Sequence, residues 1–259
     1  MPMTVAKTNE GFDGILYGDP KTGKTTTLGE CGYKVLLADL EGGTAVLEGA
    51  ENVTRIPIES WEDLILLGKS IRQGYIDMGA DGKFPLDEFE LVAIDSISRM
   101  QDLCKEWVAK TYAPGRKREI SGKFGAQMDW GDLKDNMTKL VKAFHTFTKA
   151  GDQSKHVIWI AHKAVTTDDI TGNPTSTKIQ LQGKDTAEII MSIVDGVMYM
   201  HKRNNKDTGQ VEYGILTKRM GIFEAEVRQS KFNKNAMKLE NFIVNPHWKS
   251  IFETLGYRS

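Results

Sequence analysis

The residues Gly18-Asp19-Pro20-Lys21-Thr22-Gly23-Lys24-Thr25 have the spacing G-x-x-x-x-G-K-[ST], which suits a loop that grips phosphate. Glycine at either end lets successive backbone N–H groups turn inward around phosphate oxygens. A helix starting directly afterwards adds the positive end of its dipole. Lys24 is expected to reach the β- and γ-phosphates, the Thr25 hydroxyl to take one Mg²⁺ position, and Thr26 to line the same cradle. The spacing therefore implies a nucleoside triphosphate with Mg²⁺. Three further groups sit where apolar runs end. Asp95 closes Leu91-Val92-Ala93-Ile94, where a carboxylate can hold the Mg²⁺ water shell beside Thr25. Asp39 and Glu41 follow the run Tyr33-Lys34-Val35-Leu36-Leu37-Ala38, and alternation puts both acids on one side of an extended segment. A carboxylate there can polarise an attacking water. His162 ends Val157-Ile158-Trp159-Ile160-Ala161, and by its chemistry alone it reads as a structural side chain or as a phosphate contact.

Each of these groups needs an element to hold it. Apolar runs at 12–17, 33–39, 51–58, 89–96, 156–162 and 194–200 predict strands, several apolar enough to be buried on both faces. Helices are expected from Thr25 to about Cys31-Gly32, from Ser60 towards Gly74, through Leu103, Trp107 and Val108, from Trp130 to Lys149, and over 185–192. Ser60 is placed as an N-cap with Asp63 at N3. Leu133, Met137, Leu140, Val141, Phe144 and Phe147 form one stripe on the long helix. Residues 77–88, 112–125 and 163–184 read as loops, the last long and polar. The segments 209–217 and 222–228 alternate like hairpins. Strands alternating with helices predict an α/β fold: a mostly parallel central sheet flanked by helices, with a β-hairpin-rich C-terminal edge. The expected organisation is a short lead-in (1–11), one core (12–219), and a C-terminal extension (220–259) packed on the core or on a neighbouring subunit.

Composition bounds the reading. At 259 residues the chain can bury a sizeable single core. The net charge of −1 argues neither for nor against a nucleic-acid partner. Residues 201–259 carry 11 Lys+Arg against 6 Asp+Glu. That local excess reads as a contact for nucleic acid, as a charge for a neighbour's nucleotide, or as a solvated surface. Cys31 and Cys104 have no metal-ligand spacing and form no disulfide framework. No signal-peptide pattern or membrane-length apolar run is present, so a soluble protein of a reducing cytoplasm, with no membrane partner, is expected.

The Asp39-x-Glu41 after the second strand resembles the RecA-type core. Together, the P-loop stretch, Leu40-Glu41-Gly42-Gly43-Thr44 and Trp130-Gly131-Asp132-Leu133 resemble phage nucleotide-binding ATPases, including the Sak-group single-strand annealing proteins. The likeness runs from Gly14 to about Tyr199. It implies a RecA-like P-loop NTPase fold, ATP and Mg²⁺ as cofactors, and single-stranded DNA as a partner. Self-association as a ring or filament and a single-strand-binding protein are implied as further partners, with the host cytoplasm as location. Glu41 would be the catalytic base, assisted by Lys24. His162 would sense the γ-phosphate and pass that state to the loop after it. The loop carrying Arg116, Lys117, Arg118 and Lys123 would face DNA or serve as a solvated linker. Lys218, Arg219, Arg228 and Lys231 are candidates for a positive charge supplied to a neighbour's nucleotide. A nucleotide-gated loading protein with little turnover, and a small-molecule or nucleotide kinase, remain the alternatives.

Overall fold

Runs such as Val35–Asp39 and Leu91–Asp95 alternate poorly between apolar and polar, which a strand tolerates only when covered on both faces. The computed structural model describes residues 10–111, 127–183, 185–205, 208–228 and 238–257, and there both runs are buried central strands. In chain order the elements are β1 (Asp13–Gly18), α1 (Thr26–Gly29), β2 (Val35–Asp39), β3 (Val53–Pro57), α2 (Trp61–Gln73), β4 (Tyr75–Asp77), β5 (Lys83–Pro85) and β6 (Leu91–Asp95). There follow α3 (Ile97–Thr111), α4 (Gln127–His145), β7 (His156–Thr167), β8 (Pro174–Ile179), α5 (Thr186–Ile193) and β9 (Gly196–Asn204). The chain ends with β10 (Val211–Leu216), β11 (Lys218–Met220), β12 (Phe223–Val227), β13 (Phe242–Val244) and α6 (Trp248–Leu255).

Six strands run parallel in the order β3-β2-β6-β7-β1-β9. β10 joins β9 antiparallel, and β13 joins β10. The far half of β7 turns back into β8, which meets the β11–β12 hairpin, while β12 also pairs with β9. The expected α/β class, with a parallel centre and a hairpin-rich C-terminal edge, is the one observed. Alternation along β1 sorts the two faces: Ile15 and Tyr17 pack with α2, α3, α4 and α5, while Phe12 and Leu16 pack with α1 and α6. Ser60 and Asp63 close the expected cap on α2, each side chain accepting from the other's backbone N–H.

Three expectations change. Residues 163–184 are not a loop: Lys163–Thr167 and Pro174–Ile179 pair as a hairpin that prolongs β7. Its Thr, Val and Ile residues favour strand by their branched shape, but Val165, Thr166 and Thr167 and the start of β8 are exposed, and of β8 only Thr177 and Ile179 are buried, so no sustained apolar alternation marks it. The helix after the P-loop covers only Thr26–Gly29. The stretch 77–88 contains β5, which pairs with β4. The residues expected to face DNA or to form a solvated linker, Arg116, Lys117, Arg118 and Lys123, and also Lys231, lie outside the described residues.

The C-terminal segment carries an unpredicted helix. Trp248, Ile251, Phe252 and Leu255 of α6 recur at helical spacing and are all buried against Phe12, Leu16 and Leu28. Burial of such side chains contributes on the order of 2 kcal/mol each. Trp248 Nε1 also donates to Thr27 Oγ1 at 3.1 Å, which ties the helix to α1.

Candidate nucleotide site

Parallel pairing brings the carboxyl ends of the central strands to one level: Gly18 lies beside His162 and Met200, and Asp39 beside Asp95. Connections leaving these ends build the site. The P-loop begins where β1 stops. A Cβ at Gly18 would lie 2.7 Å from the Met200 carbonyl oxygen, so only glycine fits that approach. Gly23 has φ of +89° and Lys21 has φ of 61°, left-handed turns that curl the backbone. Thr22 Oγ1 donates to the Asp19 carbonyl at 2.8 Å and braces the loop.

Lys24 is buried, and its ammonium donates to the carbonyls of Gly18 at 3.2 Å and Asp19 at 2.8 Å. Burial lowers its pKa, opposed by the charges of Asp95, Glu41 and Asp19. An ammonium has three donors, and among the described residues only two are spent. Thr25 Oγ1 donates to Asp95 Oδ2 at 2.6 Å. The predicted pair is therefore in contact although the residues are 70 positions apart. Burial raises the Asp95 pKa, while the Thr25 hydrogen bond lowers it.

Glu41 lies beside them. Its Oε1 accepts from Ser96 Oγ and contacts His162 Nε2 at 2.8 Å. Among the described residues Oε2 has no hydrogen-bond partner, so one oxygen is anchored and the other is open. The His162 hydrogen bond holds the Glu41 pKa below its ordinary value, against burial, and Ser96 assists. The same bond raises the His162 pKa, against burial. Asp39, the other acid of the pair, instead accepts from Gly42 N at 2.8 Å and shapes the turn that presents Glu41.

These residues fit a triphosphate and Mg²⁺. Thr25 and Asp95 offer hard oxygen ligands, and the Lys24 ammonium keeps a donor for phosphate. Among the described residues no group of three or more His, Cys, Asp or Glu side chains could hold a metal unaided. Such a site would thus rely on phosphate oxygens and water to complete the shell, as Mg²⁺ sites commonly do. The P-loop opens onto a cavity of about 860 Å³ that runs along α1. A second, polar cavity of about 480 Å³ adjoins Glu41 and His162 and is walled by Ser98, Gln101, Gln180 and Gln182.

Residues 10–229 match the AAA domain family. The chain belongs to that family. With its P-loop, this AAA domain is a nucleotide-binding protein of ATPase type. No curated protein matches the sequence. Among solved structures, a crystal structure of the RadB recombinase is similar at 16% identity, over 85% of this chain and 93% of that one, with a TM-score of 0.42.

Several members of the site were not assigned a role from sequence. Ser96 follows Asp95 directly and binds Glu41. Lys163 follows His162 and holds Asp19 of the P-loop at 2.8 and 2.9 Å, and the Tyr199 hydroxyl donates to the same carboxylate at 3.1 Å. Burial opposes ionisation of Asp19, but these bonds leave its pKa lowered. The only sequence signal for Ser96 and Lys163 was adjacency to a named residue. The basic candidates Lys218, Arg219 and Arg228 are not gathered at this AAA domain's own P-loop. Arg228 donates to the Ser192 carbonyl at 2.6 Å beside the start of β9, and Lys218 and Arg219 are exposed on β11. No helix among the described residues is long and apolar enough to cross a membrane.

Proposed function

We propose that this protein hydrolyses ATP with Mg²⁺ at the P-loop, and that binding of single-stranded DNA controls the cycle in recombination by annealing or strand exchange. The observation that carries the hydrolase reading is the division of Glu41: Oε1 fixed by Ser96 and His162, Oε2 open, on a carboxylate held ionised beside Lys24. In this reading Oε2 accepts a proton from water as the water oxygen bonds to the γ-phosphorus, and the bond to the β–γ bridging oxygen breaks. Lys24 stabilises charge on the phosphate oxygens, and Thr25 and Asp95 would hold Mg²⁺, which when bound offsets negative charge on the β- and γ-oxygens. ADP and inorganic phosphate leave.

Coupling would run through His162. It touches Glu41 with its ring, its N–H donates to Ser98 Oγ at 3.1 Å, and it leads straight into the β7–β8 hairpin. Ser98 in turn donates to the Gln180 carbonyl where that hairpin ends. A change at the end of the hairpin therefore reaches the carboxylate through three hydrogen bonds. The hairpin and the loop with Arg116, Lys117, Arg118 and Lys123 are the proposed DNA contacts, and a ring or filament is the proposed assembly. The second cavity beside Glu41 favours one other reading, a kinase whose small acceptor sits there.

Steady-state ATP hydrolysis with Mg²⁺, with and without single-stranded DNA across a salt series, separates these readings. Stimulation that fades with salt, as phosphate contacts require, supports the proposal. Hydrolysis indifferent to DNA removes its recombination part. Transfer of phosphate to a small acceptor instead of water replaces it with the kinase.

A further inference from the structure

The cavity of about 860 Å³ above the P-loop is closed on its far side by residues that no phosphate chemistry requires: Val46, Met200, Tyr213, Asn245 and Pro246. Asn245 and Pro246 lie beyond residue 229, where the family match ends. Their position is fixed from several directions. Asn245 N donates to the Tyr213 carbonyl at 3.0 Å, Lys249 N donates to the Cys31 carbonyl at 3.1 Å, and Trp248 is tied to Thr27 on α1. Gly32 approaches the His247 ring so closely that a Cβ would lie 2.8 Å from it. The segment after β13 is thus held to the same helix that follows the phosphate loop.

The chemistry of this wall differs from that of the floor. Val46 is 60% exposed and Tyr213 is 40% exposed, yet both border one cavity. Neither the Tyr213 hydroxyl nor the Asn245 side-chain amide makes a hydrogen bond among the described residues. A flat ring, small apolar surfaces and one free amide, set beside a phosphate grip, match a nucleoside base: faces for stacking and an edge for hydrogen bonding. An amide offers a donor and an acceptor side by side. Adenine presents a matching acceptor and donor at N7 and N6, whereas guanine presents two acceptors at N7 and O6.

We propose that Tyr213 and Asn245 form the base subsite and set a preference for adenine over guanine, so that the C-terminal segment completes the nucleotide site. This rests on the reading of the P-loop as a nucleotide site. Asn245 has φ of 46°, a left-handed conformation that asparagine tolerates, so its amide needs a test separate from its backbone. Asn245→Gly supplies that test, because glycine keeps the turn and removes the amide.

The experiment measures equilibrium binding of ATP, GTP and inorganic tripolyphosphate, each with Mg²⁺, to the full chain and to Tyr213→Ala and Asn245→Gly. Thermal melting confirms that both exposed-site variants fold. Tyr213→Ala is expected to weaken ATP and GTP by about tenfold, within the range of base–aromatic stacking, and to leave tripolyphosphate unchanged. Asn245→Gly is expected to reduce the ATP-over-GTP ratio. ATP binding by the wild type with both variants unaltered overturns the base subsite and leaves the nucleotide site standing. Binding of neither nucleotide nor tripolyphosphate by the wild type overturns both.

Discussion

The chain holds two carboxylate–imidazole pairs at opposite ends of the same sheet, with nearly equal geometry. At the carboxyl end His162 Nε2 lies 2.8 Å from Glu41, and at the amino end His145 Nδ1 lies 2.9 Å from Asp13. Their surroundings differ. Asp13 is fully buried, with Oδ1 accepting from Trp159 Nε1 at 2.8 Å and Oδ2 facing His145. Its N–H donates to Asp195, whose N–H returns a bond to the Asp13 carbonyl. Burial raises the Asp13 pKa despite these bonds. The Glu41 side chain is 33% exposed, borders a cavity and keeps Oε2 open, and hydrogen bonding wins over burial to lower its pKa. A carboxylate with both oxygens committed inside a core can only hold the core together. One with an oxygen open beside a phosphate loop can accept a proton. Placement and spare valence separate the two pairs, since the pairing itself is common to both.

The largest expected effect tests where ligand binds. Lys24→Ala should reduce ATP binding below detection by calorimetry, since it removes the buried ammonium aimed at phosphate. Retained affinity would place the nucleotide elsewhere. Asp13→Ala is the converse change. It strips the acceptor from Trp159 and the partner from His145 in a sealed site, and should cost about 3 kcal/mol in chemical denaturation while ATP affinity stays put. A stability loss in Lys24→Ala larger than in Asp13→Ala would invert the comparison. Next in size, Glu41→Gln should bind ATP normally and hydrolyse it about a hundredfold more slowly, near the lower bound for acid–base catalysis. A near-wild-type rate would show that the open oxygen is not the proton acceptor.

What could be read from the sequence follows the same divide. The P-loop, Asp95, Glu41 and His162 were legible because each sits at the end of an apolar run, and parallel strands deliver such ends to one place. Their mutual contacts were not, since Thr25 and Asp95 meet across 70 residues and Glu41 and His162 across 121. The sealed network left no local sign, because Asp13, His145 and Trp159 lie on separate elements and only folding shows what they share. The β7–β8 hairpin was hidden because its outer part is exposed and only Thr177 and Ile179 of β8 reach the core. Helix α6, by contrast, has apolar residues at 248, 251, 252 and 255, a helical period short enough to carry little signal in a segment with no recognisable motif.

The smallest effect concerns pH and sharpens the contrast most. The His162 pKa is raised above its ordinary 6.5, so the stability gained from that shift is complete below 6.5 and lost as pH rises through the raised value. The Glu41 pKa is lowered below 4.5, so its gain is complete above 4.5 and lost as pH falls through the depressed value. The pair therefore contributes fully between 4.5 and 6.5. With side chains 35% and 33% exposed, water screens it, and the contribution should stay under about 1 kcal/mol. Denaturation of wild type and Glu41→Gln across pH should show a stability difference that is greatest in that window, shrinks at higher pH and weakens with added salt. The Asp13→Ala difference, measured in the same way, should hold its size as salt is added, because no solvent reaches that carboxylate. A difference at Glu41 as insensitive to salt as that at Asp13 would mean that the two sites are equally closed, and the carboxyl-end pair would lose its claim to an accessible oxygen.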